Sequence, residues 1–77
     1  MDHTLPLPTR RYIRAILGAN ISAWARSHGL PPHAVHATLH RYAGGEVDMA
    51  RSWGPQTRRV LLALHEAVQA AAERGAA

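Results

Sequence analysis

Apolar residues along this chain recur mainly at spacings of three and four, the period of helices that bury one face, and prolines and glycines divide them into segments. Residues 1–9, with Pro6 and Pro8 and no periodicity, read as an extended N-terminal arm. Thr9 offers an N-cap to a first helix from Arg10 to about Gly18. Ile13, Ile16 and Leu17 face its core side, and Arg10, Arg11 and Arg14 lie outside. Ser22 reads as the next cap, with Ile21 before it as a hydrophobic staple, and a second helix covers Ala23 to His28 and stops at Gly29. Proline is tolerated in a helix only in its first turn, so Pro31-Pro32 start a third helix, which runs to about Tyr42.

Ala43-Gly44-Gly45 break that helix, and the stretch to Gly54 reads as a loop, with one helical turn around Asp48 to Arg51 left open. Pro55 fits the first position of a fourth helix, with Val60, Leu61, Leu64, Ala67, Val68 and Ala71 along one side. Residues 73–77 are expected to fray. No β-strand pattern or internal repeat stands out. The expected fold is therefore all-α, with four to five short helices over residues 10–72 built around a helix-turn-helix.

That motif needs a small residue inside its first helix, so that the second can cross closely, and a residue free to turn left-handed four positions later. Ala25 and Gly29 have this spacing, Trp24 and Leu30 flank them, and Val35 and Leu39 supply an inward stripe on the second helix. At 100° per residue Val35, Leu39 and Tyr42 fall within roughly 60° of one another, while His33, His36, Ala37 and His40 gather opposite them with Arg41 at one edge. Donors and acceptors, a small residue that permits close approach and a neighbouring cation are what a helix in the major groove requires. An ordinary solvated face has the same pattern.

Charge adds direction to this reading. The chain has 77 residues with a net charge of +4, and all nine basic residues are Arg. A G- and C-rich genome replaces Lys by Arg, so the missing Lys is no evidence, but the net charge still favours an anionic partner, nucleic acid before membrane. Cys is absent, which excludes disulfides and thiolate metal sites. The N-terminus has no signal-peptide pattern, and the strongly apolar run Val60 to Leu64 is far short of the ~20 residues that span a bilayer. A cytoplasmic protein is expected.

The run Ile21-Ser22-Ala23-Trp24-Ala25-Arg26-Ser27-His28-Gly29-Leu30, followed by Val35 and Leu39 and by Gly54 ahead of Arg59-Val60-Leu61-Leu62-Ala63-Leu64, resembles the small DNA-binding proteins of Mu-like transposable phages, which are related to the Ner regulators. The resemblance covers about residues 19–64. It implies a λ-repressor-like helical fold and a small transcriptional regulator on a mobile element. Two departures are visible: the segment between Tyr42 and Gly54 is longer than that family's short turn, and Thr38 stands where a second apolar residue is usual.

Other chemistries find less support. His33, His36 and His40 could line one helical face as metal ligands, but a structural site needs a fourth ligand, and no metal or other cofactor is expected. His65-Glu66 begins the zinc-protease pattern, yet Gln69 occupies the position of its second His. Glu46 with Asp48, and Glu66 with Glu73, lie in a loop and on an exposed helix, so no enzyme is expected. Trp24 reads as core, and Trp53 as either a lid over the core or a partner contact.

The expected function is thus a sequence-specific regulator of transcription, a repressor before an activator, that binds double-stranded DNA. His33, His36, Ala37 and His40 would meet bases, and Arg10, Arg11, Arg26 and Arg41 the backbone. The rivals are an excisionase-like architectural factor with the 43–53 loop as a wing, and a helical adaptor or antiactivator that meets a protein through the fourth helix. A homodimer is expected, with Leu61, Leu64, Val68 and Ala71 as its seam, unless the same residues merely cover the core.

Overall fold

In the computed structural model, which describes residues 4–18 and 20–76, the chain is a mostly helical domain with one small sheet. Strand β1 (Thr4–Pro6) is followed by helices α1 (Arg10–Ile16), α2 (Ile21–Ser27) and α3 (Pro32–Tyr42), strand β2 (Glu46–Asp48) and helix α4 (Pro55–Ala76). The all-α expectation is corrected by the sheet, in which β1 and β2 pair antiparallel with Leu5 opposite Val47. The pairing continues past the strands, since the Leu7 amide donates to Gly45 O at 2.8 Å and the Gly44 amide to Leu7 O at 3.0 Å. Leu7 and Val47 thereby enter the core, so the extended N-terminal segment is packed against the helices at Leu7. Helix α4 continues through residue 76, across most of the segment expected to fray, and Ala77 lies outside the described residues.

The helix starts follow local hydrogen-bonding chemistry. Thr9 caps α1 by accepting from the Tyr12 amide. For α2 the cap is Asn20, whose Oδ1 accepts from the Ala23 amide at 2.9 Å, so Ser22 is inside the helix and Ile21 is its buried first residue. At the other end of α2, Gly29 adopts φ +68, and the amides of Gly29 and Leu30 return to the carbonyls of Arg26 and Ala25. These two bonds form a Schellman motif, which satisfies orphan carbonyls and turns the chain directly into α3. A Cβ at Gly29 would meet no atom within 4 Å, so Gly29→Ala pays only for the left-handed backbone. It is expected to lower stability by about 1 to 2 kcal/mol in a denaturant melt, with an unchanged circular dichroism spectrum.

The core gathers Ile13 of α1, Ile21 and Ala25 of α2, Leu30 of the turn, Val35 and Leu39 of α3, and Val60, Leu61 and Leu64 of α4. Ala25 is fully buried, as the close approach of α2 and α3 requires, and Trp24 is half-buried, packed against the core and stacked on His28 at 4.5 Å between ring centroids. Thr38 fills a buried position on α3, which it can do because its hydroxyl donates to Ala34 O at 2.8 Å. Leu61 and Leu64 are 1% and 0% exposed. They line the core of their own chain and are unavailable as a dimer seam, and Val68 packs against the same core. Ala71 is half-buried.

Candidate nucleic-acid interface

The outward face of α3 arises because its apolar positions repeat toward the core. Val35, Thr38 and Leu39 are buried and Tyr42 half-buried, which leaves His33, Ala37, His40 and Arg41 exposed. His36 stands apart from the other three histidine and alanine positions assigned to base contact. It lies at the edge of the face, half-buried, with Nε2 3.1 Å from Ser22 Oγ, and so ties α3 to α2. The expected consequence of His36→Ala is a stability loss of about 0.5 to 1.5 kcal/mol on and off DNA, measured by thermal melting. Unchanged stability would show that the bond adds nothing and return His36 to the outward set.

A groove runs along each side of this face. On the His36 side it is lined by Arg10 and Arg14, one turn apart on α1, together with Asn20, Ile21 and Ser22. On the other side it is lined by His33, Ala37 and Arg41 of α3 and by Arg51, Trp53, Gln56 and Thr57. The two linings contain four arginines and two histidines and no carboxylate, although the whole chain has five acids. Four of the nine arginines thus flank α3 with no carboxylate among them, and the other five lie elsewhere on the surface. Such clustering attracts polyanions over several ångströms, and guanidinium groups hold phosphate oxygens in a two-pronged geometry.

The second groove owes its wall to the loop after β2. The Asp48 side chain accepts from the Ala50 amide at 2.9 Å, and the Asp48 carbonyl accepts from the Arg51 amide and from Trp53 Nε1. Trp53 then sets its ring edge-on to Tyr42, with centroids 5.3 Å apart, and the Arg51 guanidinium lies 4.8 Å above the Trp53 ring. Trp53 is therefore a support that joins this loop to α3, and Arg51, exposed but lying over the Trp53 ring, lines the same groove as Arg41.

Of the arginines assigned to backbone contact, Arg10 and Arg41 line the grooves, while Arg11 and Arg26 are exposed but line neither. The grooves also contain Arg14 and Arg51, which the sequence reading does not assign to contact. Arg14 had a signal, its i+4 spacing from Arg10, whereas Arg51 sits in a segment that periodicity could not place. Among the described residues no three His, Cys, Asp or Glu side chains are grouped to hold a metal ion. No helix among them is long and apolar enough to cross a membrane. A scan against protein-family models, a search of curated proteins and a search of solved structures each find no match to this chain.

Proposed function

We propose that this chain is a sequence-specific DNA-binding regulator whose α2–turn–α3 unit is a helix-turn-helix, with α3 laid in the major groove. The observation that carries the reading is the placement of α3 between two acid-free, arginine-lined grooves. A helix in the major groove has a phosphate strand on either side, and the contacts to those strands set its register while the exposed side chains meet base edges. In this arrangement Arg10 and Arg14 face one strand and Arg41 and Arg51 the other. His33 and His40 are the hydrogen-bonding groups toward the bases, and Ala37 between them allows close approach. The turn chemistry supports the same reading, since the buried Ala25 and left-handed Gly29 are the two backbone conditions of the motif.

The resemblance to Ner-like proteins of Mu-like phages makes the regulated DNA that of a mobile element, with repression as the proposed outcome and a λ-repressor-like helical arrangement as the proposed fold. Salt dependence tests the groove assignment. Each guanidinium that neutralises a phosphate contributes about 0.9 to the slope of log K against log salt. Alanine at Arg10, Arg14, Arg41 or Arg51 is expected to reduce that slope by about 0.9 each, and alanine at Arg11 or Arg26 to leave it unaltered. A slope indifferent to all four groove arginines removes the proposed contacts.

A further inference from the structure

The outer face of α4 carries Arg59, Leu62 and Glu66, which belong neither to the core nor to the α3 grooves. On the helical wheel Arg59, Leu62 and Glu66 fall within roughly 60° of one another, opposite Val60, Leu61 and Leu64. Leu62 is 42% exposed, one of two large apolar side chains left in solvent among the described residues, and beside it a shallow groove is lined by Leu30, His28 and Ala63. A single exposed leucine is ordinary on a protein surface, and what distinguishes this face is the arrangement of the charges around it.

Arg59 and Glu66 are seven residues apart, about 10.5 Å along the axis, too far to pair with each other. Their neighbours on the same helix at three and four positions are Pro55, Gln56, Leu62, Ala63, Gln69 and Ala70, none of them charged. A second copy of α4 laid antiparallel, with the two-fold axis between residues 62 and 63, places Arg59 opposite the partner's Glu66 and Glu66 opposite the partner's Arg59. The same axis sets Leu62 against the partner's Ala63, a large residue into a small one, twice. The face is complementary to itself in charge and sets a large residue against a small one, as an isologous dimer requires.

We propose that the chain forms a two-fold dimer through the Arg59, Leu62, Ala63 and Glu66 face of α4. A contact centred on one helix face belongs with small, transient interfaces, so association is weak in solution. It does not depend on the DNA-binding reading, and sedimentation in the absence of DNA measures it alone. Equilibrium sedimentation of the full chain at concentrations up to about 1 mM reads even a weak dimer.

Two ion pairs become two repulsions in Arg59→Glu, and likewise in Glu66→Arg, so each variant is expected to dimerise at least about tenfold more weakly than the parent. Both residues are exposed, and circular dichroism verifies that the fold is kept. An equimolar mixture of the two variants restores both attractive pairs in the heterodimer, and its mass is expected to return to that of the parent. Arg59→Gln and Glu66→Gln remove charge without reversing it and give the same order with a smaller effect. The proposal is overturned if the parent chain stays monomeric throughout, if both reversals dimerise as strongly as the parent, or if the mixture associates no better than either variant alone.

Discussion

Glutamate in place of Ala37 is expected to reduce affinity for cognate DNA on the order of a hundredfold or more, while the melting temperature stays close to that of the parent chain. Ala37 is exposed between His33 and His40 and lines the groove shared with Arg41 and Arg51. In the proposed complex a carboxylate there would be directed at bases and phosphates, where like charge in a desolvated contact costs several kcal/mol, and it would block the approach that the methyl group allows. In the free protein the same carboxylate is solvated, and Ala and Glu differ little in helix propensity, so the stability change stays within about 0.5 kcal/mol. Parallel titrations of DNA binding and thermal melts check both halves. Equal binding by parent and variant places the outward face of α3 away from the DNA.

Two residues further on, the opposite phenotype is expected. Leu39 is 1% exposed and anchors α3 in the core with Val35 and the α4 residues Val60, Leu61 and Leu64. Leu39→Ala removes buried methyl groups and leaves a cavity, with an expected loss of about 2 to 5 kcal/mol. A domain of this size has a total of only about 4 to 12 kcal/mol at typical stability per residue. The melting temperature is thus expected to fall by roughly 10 to 30 °C, and DNA binding to fail with it wherever the chain unfolds. Retained stability in Leu39→Ala means that α3 is not docked as described. The pair separates contact from scaffold on one helix, because two residues advance the wheel by 200°.

Much of this was legible in sequence because proline, glycine and helical period act locally. Pro32 and Pro55 begin helices, Gly29 ends one, and Val35 with Leu39 mark the buried side of α3. What escaped was either short or non-local. Strands of three residues hold too few positions to show alternation, and β1 contains Pro6, which argues against a strand when read alone. The faint signal was Val47 between Glu46 and Asp48, an apolar position between two acids whose partner strand lies some forty residues earlier. In sequence Asn20 and Ser22, two positions apart, compete as caps, and only the fold shows Ser22 bonded to His36 and Asn20 capping α2. The spacing of Leu61 and Leu64 fits a seam and a core equally well, and burial decides for the core. Of the candidate interface, the exposed α3 residues were readable from one wheel. The two grooves were not, since each joins residues from separate elements.

Whether α3 reads DNA sequence, as proposed, is decided by one titration. The full chain is titrated by fluorescence anisotropy against duplex DNA from the region upstream of its own coding sequence and, in parallel, against a shuffled duplex of equal length and composition, at a series of salt concentrations. Specific binding is predicted to exceed non-specific binding by about a thousandfold or more at physiological salt, with both affinities falling as salt rises. Equal affinity for the two duplexes, or no binding to either at low salt, contradicts the account.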